Sequence, residues 1–131
     1  IQIYFVMKTP ESLHIHKKSA ELEVLFSNEK PIRLSAEYLR VFSPSAETKG
    51  HGPGQEVLQW GNRAVQFQDL EFQGNYAVKI SFSDGHNSGI YSWDYLIDLA
   101  TNFEQNWNDY LRRLAQEKKS RDPIFINAIS D

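Results

Sequence analysis

Alternating apolar and polar positions in the first third of the chain predict short antiparallel strands. Residues 13–16 alternate strictly, and residues 22–26 alternate with a thicker apolar end. The polar stretch between these two segments predicts a turn, so together they predict a hairpin. Residues 31–34 predict a third strand, and Ser35 is typical of the N-cap of a short helix over residues 36–41.

The middle of the chain is rich in residues that interrupt regular structure. Residues 43–55 contain three glycines and two prolines, which predicts a loop without helix or strand. A loop of this length inside a domain is typically functional or disordered. Residues 57–60 predict a short strand after the loop.

The clearest strand pattern covers residues 76–82, and a strand over residues 70–72 leads into it through a Gly-Asn turn. Four apolar side chains of this pattern share one face: Tyr76, Val78, Ile80 and Phe82. The dipeptide Asp84-Gly85 is a strong turn signal, and residues 88–91 have strand character again. These features predict a second antiparallel hairpin.

Helical spacing dominates the C-terminal third of the chain. Ser92 is a candidate N-cap for one helix, and Asn102 with Gln105 three residues later resembles the capping box of a second. The second helix is predicted over residues 102–118, and three of its apolar side chains are expected to pack as one stripe: Phe103, Trp107 and Leu111.

These elements predict an α+β fold, with small antiparallel β-sheets built from hairpins and helices toward the C-terminus. The chain has 131 residues, which suits one domain, and we expect that domain to cover residues 7–122. Residues 1–6 and 123–131 would then be flanking tails. Met7 is the single methionine and is expected to be the native start, although residues 1–6 could equally form a native edge strand.

Composition narrows the classes of function. Seventeen acidic residues against fourteen basic ones give a net charge of −3, which argues against a nucleic-acid partner. The absence of cysteine excludes disulfides, thiolate zinc sites and a cysteine nucleophile, and it agrees with a cytoplasmic setting. No apolar run approaches the roughly 20 residues of a membrane span, so we expect no membrane partner.

The histidines are the first candidates for chemistry. His14 and His16 share one face of a predicted strand, where exposure to solvent is the expected role. His51 and His86 lie on separate loops, with Glu47 and Asp84 nearby in sequence. These four loop side chains, Glu47, His51, Asp84 and His86, could converge on a metal or an anion, or Asp84 and His86 could merely satisfy turn amides.

No known catalytic motif is present, so we predict no catalytic residues. The chain lacks the Gly-x-Ser-x-Gly elbow of serine hydrolases, the Gly-Lys-Ser/Thr of phosphate loops and the His-Glu-x-x-His of metalloproteases. None of the four histidines begins the His-x-Asp/Glu pattern of iron(II) oxygenases.

Two motifs nevertheless resemble a known family: GNYA at residues 74–77 and FSDGHNSGIYSWDYL at residues 82–96. They are similar to the γ-butyrobetaine hydroxylase-like N-terminal domain, which is also known as DUF971, and to its stand-alone bacterial branch in particular. The resemblance covers residues 13–99, and Leu39-Arg40 matches a further motif of the family.

The resemblance implies a structural zinc held by three cysteines and one histidine. The aligned positions in this chain are Ser43, Ser45, Thr48 and His86. Hydroxyl groups stay protonated near neutral pH and are poor zinc ligands, so we expect a degenerate zinc site with no bound metal and no cofactor.

The same resemblance implies an accessory domain without the catalytic barrel of the hydroxylase. Related domains are fused to P-loop ATPases of iron–sulfur cluster assembly, so we expect a non-catalytic binding or adaptor module for a protein partner, one linked to iron–sulfur proteins by analogy. Its expected surface is the 43–55 loop beside the turn at residues 84–87. A small-ligand or metal-binding domain that uses His51 and His86 is the alternative, and an enzyme with His86 as base ranks last. A homodimer through the C-terminal helix is a further expectation.

Overall fold

The computed structural model describes residues 9–123 and forms an α+β fold of two three-stranded antiparallel sheets and four helices within that range. The elements in chain order are β1 (Ser12–His16), β2 (Glu21–Leu25), β3 (Ile32–Ser35), α1 (Ala36–Val41), α2 (Ala46–Lys49), β4 (Phe67–Gln73), β5 (Ala77–Phe82), β6 (Gly89–Ser92), α3 (Trp93–Thr101) and α4 (Phe103–Gln116). The predicted fold class is thus confirmed, while the predictions for Met7 and residues 1–6 lie outside the described residues.

The first sheet has the order β1-β2-β3, which confirms the predicted hairpin and the third strand. Leu22 and Val24 of β2 are fully buried. The alternate positions face outward, where His14, Glu23 and Arg33 are neighbours across the three strands. The period-two pattern of the sequence therefore separates a core face from a solvent face.

The second sheet has the order β4-β5-β6, and its β5–β6 pairing confirms the predicted second hairpin. Val78, Ile80 and Phe82 are fully buried on one face of β5. Tyr76 was expected on that face, but this prediction is wrong because strand pairing begins only at Ala77. Tyr76 lies in the preceding turn, half exposed, with its ring against Gly74, whose φ of +53° shapes that turn.

Serine caps begin two of the helices, as the sequence predicts. The Ser35 hydroxyl accepts from the Tyr38 amide at 3.0 Å, and the Ser92 hydroxyl accepts from the Tyr95 amide at 3.1 Å. The first cap turns the chain so that Tyr38 is fully buried and donates its phenolic hydrogen to the Leu99 carbonyl at 2.6 Å. This bond joins α1 to α3 across the core.

Two predictions around the long loop are wrong. Ala46–Lys49 forms one helical turn, because the glycines and prolines of residues 43–55 flank these four positions and do not interrupt them. Residues 57–60 form no strand, because their backbone is bonded by other groups. The Val57 amide donates to the Thr48 carbonyl, and the Tyr110 hydroxyl donates to the Gln59 carbonyl.

The C-terminal helices depart from the predicted capping and packing. The Asn102 amide group donates back to Asp98 of α3, so no side-chain capping bond forms at the start of α4. The stripe that α4 buries consists of Tyr110 and Leu114, which pack with Val41 and the partly buried Leu58, Phe42 and Trp107. The predicted stripe is therefore wrong at two positions, Phe103 and Leu111, whose side chains are exposed.

The segment after α4 folds back along the domain. The Gly61 amide donates to the Ser120 carbonyl, and the Arg63 amide donates to the Arg121 carbonyl, both at 2.9 Å. Arg121 reaches across to α1 and donates to both carboxylate oxygens of Glu37 at 2.8 and 2.6 Å. None of the helices within residues 9–123 is long and apolar enough to span a lipid bilayer.

Candidate functional site

Three hydroxyl groups and one imidazole meet in a buried cluster beneath the 43–55 loop. His86 Nε2 lies 2.8 Å from the Ser43 oxygen and 3.3 Å from the Ser45 oxygen. The Ser45 hydroxyl donates to the Thr48 oxygen at 3.4 Å. All four side chains are buried, and Ser43 is only 1% exposed. We call Ser43, Ser45, Thr48 and His86 the hydroxyl–imidazole cluster.

Local structure brings the cluster together from two distant parts of the chain. Ser43 follows α1, and Ser45 and Thr48 lie at the start of α2 and within it. His86 is placed by the β5–β6 turn, where its amide donates to the Asp84 carboxylate at 3.1 Å and the φ of Gly85 is +91°. The sequence predicted this turn, and the family resemblance already placed its imidazole with positions 43, 45 and 48.

The cluster does not fit a zinc ion. Its donor set offers one imidazole and three hydroxyl groups, whereas structural zinc takes four thiolate or imidazole ligands. The imidazole nitrogen that would face the metal already lies at hydrogen-bond distance from two serine oxygens. Among residues 9–123, no group of three or more His, Asp or Glu side chains could hold a metal ion.

Three charged side chains surround His86: Glu47, Asp84 and Arg40. Its Nδ1 lies 3.4 Å from the Glu47 carboxylate, while Asp84 is held by the Arg40 guanidinium at 2.8 Å. Burial lowers the pKa of His86, and the Arg40 charge lowers it further, while Glu47 and Asp84 act in the opposite direction. The imidazole is therefore neutral at pH 7 and can accept a hydrogen bond from Ser43.

This lowered pKa predicts a pH-dependent stability. The unfolded chain binds a proton at a histidine pKa of about 6.5, whereas the folded chain binds it only at lower pH. The stability that neutral His86 contributes is thus present above pH 6.5 and is lost as the pH falls toward the folded pKa. Urea unfolding at pH 7.5 and 5.5 should show a larger loss for the parent than for His86→Gln. Equal losses in the two proteins would contradict the prediction.

Gly89 is required by the close approach of β6 to the cluster. A Cβ atom at this position would lie 2.5 Å from the Ser43 oxygen and 3.0 Å from the Tyr91 ring. We expect Gly89→Ala to cost about 2 kcal/mol in the free energy of unfolding, because the methyl group must displace Ser43 from His86. Urea unfolding measures the loss, with Ser88→Ala as the exposed neighbouring control.

A double variant tests the cause of that loss. Adding Ser43→Ala to Gly89→Ala removes the clashing oxygen. The double variant should therefore lose less free energy of unfolding than the sum of the losses in the two single variants. If the losses in the two single variants simply add, the methyl group clashes with Tyr91 or Pro44 and not with Ser43.

His51 is placed apart from the other three candidate residues. The structure brings Glu47, Asp84 and His86 together, whereas His51 is exposed on the loop. Within the described part of the chain, no hydrogen bond or ring contact joins His51 to His86. The alternative function that pairs these two imidazoles therefore gains no support from the geometry.

The contacts of the cluster follow the order of a hydrolytic triad, from Ser43 to His86 to Glu47. The solvent exposure of the serine and the acid, however, is the opposite of that in a triad. A triad needs an accessible nucleophile and a buried acid that orients the histidine. Here the Ser43 hydroxyl is almost completely buried, whereas the Glu47 side chain is 73% exposed. The arrangement suits a structural hydrogen-bond cluster, and it gives the His86-base enzyme no positive support.

The sequence did not reveal the role of Arg40, which connects the cluster to the rest of the domain. Arg40 donates to Asp84 and to the Gln59 side chain, each at 2.8 Å. Asn62 also donates to Asp84 at 3.4 Å, and its own side-chain oxygen is buried without a hydrogen-bond partner among the described residues. The sequence signal that could have indicated this role is an arginine within a short, largely apolar helix, because a buried guanidinium requires an acidic or polar partner.

An open cleft of about 530 Å³ lies beside the cluster, between the 43–55 loop and α4. Aromatic rings of Phe42, Tyr95 and Tyr110 line it, together with the cluster residues Ser43 and Thr48. Lys49 lies over the Tyr95 ring at 5.2 Å, and Val57 at the cleft is 51% exposed. The cleft therefore combines aromatic walls, a cation and an accessible aliphatic side chain.

Comparison with known proteins identifies a family and several structural relatives. A family model described as γ-butyrobetaine hydroxylase-like, N-terminal, matches residues 13–97. No curated protein is significantly similar to the chain. Two proteins with NMR solution structures are 46% and 40% identical to it, with TM-scores of 0.77 and 0.78. The alignments cover 95% and 100% of this chain, respectively, and 98% of each relative.

A third relative comes from Acidithiobacillus ferrooxidans ATCC 23270 and is known from a crystal structure at 1.93 Å resolution as a DUF971 protein of unknown function. It is 33% identical, with a TM-score of 0.59, and the alignment covers 70% of this chain and 92% of that one. The matched family model spans both sheets, the cluster and most of α3. The chain therefore belongs to the γ-butyrobetaine hydroxylase-like N-terminal domain family.

Proposed function

We propose that the chain is a non-catalytic binding module that docks a protein partner at the 43–55 loop and the adjoining cleft. The observation that carries the proposal is the cleft itself, where aromatic walls and the exposed Val57 lie beside a cluster whose polar groups are bonded to one another. Because His86 and the hydroxyl groups bond one another and hold the loop in place, we assign them a structural role beneath a binding surface and no role in catalysis.

The expected partner is a protein that handles iron–sulfur clusters, in the cytoplasm. The support for this partner class is the family resemblance alone, and the absence of cysteine agrees with a reducing compartment. Partner binding would rest on the aromatic and aliphatic groups of the cleft, since aromatic anchors dominate the energetics of protein interfaces.

Two half-exposed aliphatic residues allow a matched test. Val57 at the cleft is 51% exposed, and Ile90 on β6 is 44% exposed. The tagged parent, Val57→Glu and Ile90→Glu would each be used to capture partners from cells of the source organism, with quantification by mass spectrometry. We expect the parent and Ile90→Glu to retain the same partners and Val57→Glu to lose them.

Thermal unfolding of all three proteins controls for damage to the fold. If Val57→Glu captures the same partners as the parent, the cleft is not the docking surface. If the captured proteins include none that handles iron–sulfur clusters, the partner class is wrong while the docking surface stands.

A homodimer through α4 remains a second proposal. Phe103 and Leu111 are exposed on the helix that was expected to mediate it, eight residues apart and hence on one stripe with Trp107. Light scattering after size-exclusion chromatography should give twice the monomer mass for the parent and the monomer mass for Leu111→Lys. A monomeric parent at about 100 μM would contradict the proposal.

A further inference from the structure

Within residues 9–123, the outer edge of β4 is an open strand edge. β4 lies at the end of its sheet, pairs with β5 alone among the described strands and, with seven residues, is the longest of them. Among the described segments, the one backbone bond to residues 69–73 outside the pairing with β5 is the turn bond from the Tyr76 amide to the Gln73 carbonyl. The Gln73 side chain also lies near the strand, with its Nε2 3.5 Å from the Glu71 carbonyl. Such edges present backbone donors and acceptors to an extended chain.

The two faces of β4 differ in chemistry along this edge. Leu70 and Phe72 face the core side of the sheet, opposite Ile80 and Val78 of β5. Phe72 is nevertheless 61% exposed, more than any other large apolar side chain among the described residues. An added strand would place its own apolar side chains beside Phe72 and cover it, because neighbouring strands align their faces.

The opposite face carries negative charge. Asp69 and Glu71 are both exposed, and the one cation in contact with them within the described chain is Lys79, 3.5 Å from Glu71. Antiparallel pairing of two copies of β4 centred on residue 70 or 71 would bring these carboxylates close together across the new interface. Like charges across a strand pair are destabilising, so a second copy is a poor occupant and a cationic strand is a good one.

A β-bulge restricts where a strand can be added. The register of β4 against β5 shifts between Phe67 and Asp69, whereas residues 69–73 pair regularly. Bulges bend the bulged strand and interrupt pairing, so the regular stretch of five residues is the length available to a partner.

We propose that the edge of β4 at residues 69–73 binds an extended basic segment of a partner protein as an added antiparallel or parallel strand. Apolar side chains of the segment would cover Leu70 and Phe72, and its alternate Lys or Arg residues would face Asp69 and Glu71. This surface is separate from the 43–55 loop and its cleft, so the proposal and the proposed function can fail independently.

A synthetic peptide of sequence acetyl-Lys-Val-Lys-Ile-Lys-Val-amide is the probe. Titrated into the ¹⁵N-labelled protein at low salt, it should shift the backbone amide resonances of residues 69–73 and of the β5 residues paired with them. Binding should weaken about fivefold or more when Glu replaces each Lys of the peptide, and also when the salt concentration is raised to 0.5 M.

Two controls separate strand addition from simple charge or apolar contact. A peptide N-methylated at every residue keeps its charge but loses the backbone donors of both strand edges, so it should not bind. In the protein, Glu71→Lys should weaken binding of the Lys peptide about fivefold or more, while the matched exposed control Glu104→Lys on α4 should leave it unchanged.

Each contrary result overturns the proposal. Equal binding of the N-methylated peptide would exclude an added strand, and equal binding to Glu71→Lys would exclude selection of basic segments. Resonance shifts confined to residues outside β4 and β5, or no shifts at millimolar peptide, would exclude the edge as a binding surface.

Discussion

Replacing Ser43, Ser45 and Thr48 with cysteine together is expected to convert the hydroxyl–imidazole cluster into a zinc site. The three oxygens and His86 Nε2 are linked by contacts of 2.8 to 3.4 Å. Ligand atoms in a tetrahedral site with Zn–S of about 2.3 Å and Zn–N of about 2.0 Å are about 3.5–3.8 Å apart. The longer C–S bond of cysteine accounts for part of this difference, so the backbone needs little rearrangement.

The expected effect of this substitution is large. Structural zinc sites in small peptides bind with apparent free energies of about 10–16 kcal/mol, which corresponds to dissociation constants from about 50 nM to a few picomolar. At free zinc about 1,000-fold above that constant, the folded state gains about 4 kcal/mol. Elemental analysis should find about one zinc per chain in the variant, and a chelator should lower its melting temperature.

The unmodified protein provides the reference. We expect it to carry no stoichiometric zinc and to unfold identically with and without a chelator. Adding His86→Ala to the triple variant should weaken zinc binding, because three thiolates then remain. About one zinc per chain in the unmodified protein would mean that Glu47, His51 or Asp84 acts as a ligand, and the metal-binding alternative would then displace the binding module.

Removal of Arg121 is expected to destabilise the domain strongly. Its guanidinium donates to both oxygens of Glu37, whose side chain is 8% exposed, and lies 5.0 Å from the centre of the Trp107 ring. Arg121→Ala would leave a buried carboxylate without its cation. Such changes cost about 3–5 kcal/mol, and the partial exposure of Arg121 favours the lower value. The melting temperature should fall by roughly 10 °C.

An exposed ion pair on α4 supplies the matched control. Arg112 donates to Asp109 at 3.0 Å, and both side chains are more than half exposed. Arg112→Ala should therefore change the free energy of unfolding by less than about 1 kcal/mol. Combining Glu37→Gln with Arg121→Ala should recover part of the stability, because a neutral amide is less costly to bury than a carboxylate. Similar losses for Arg121→Ala and Arg112→Ala would show that the Glu37 pair contributes little.

The elements that the sequence predicted correctly depend on signals within a few adjacent residues. The β5–β6 hairpin follows from strand alternation and an Asp-Gly turn, and the caps at Ser35 and Ser92 follow from one side chain bonding an amide three residues later. Such signals act within one turn of the backbone, so their outcome changes little with the surrounding fold.

The predictions that failed concern contacts between distant segments. Phe103 and Leu111 have helical spacing, but the position of α1 and the loop decides that Tyr110 and Leu114 are buried instead. The failed strand at residues 57–60 has suitable apolar residues but no partner strand within residues 9–123, and side chains of α4 bond the adjoining backbone. The pairing of Arg40 with Asp84, 44 residues away, has no local signal either.

The sequence by itself determined the family, the local elements and the chemistry that the cluster can offer. Hydroxyl groups at positions 43, 45 and 48 already argue against the zinc that the family resemblance implies, whatever their placement. The family resemblance also placed Ser43, Ser45 and His86 at the positions of one metal site, where the structure brings them into contact. Only the tertiary structure decided that His51 lies apart and that the edge of β4 is open among the described strands. The physical reason is that residue type sets which bonds a group can make, whereas burial and distance depend on how separate segments pack against one another.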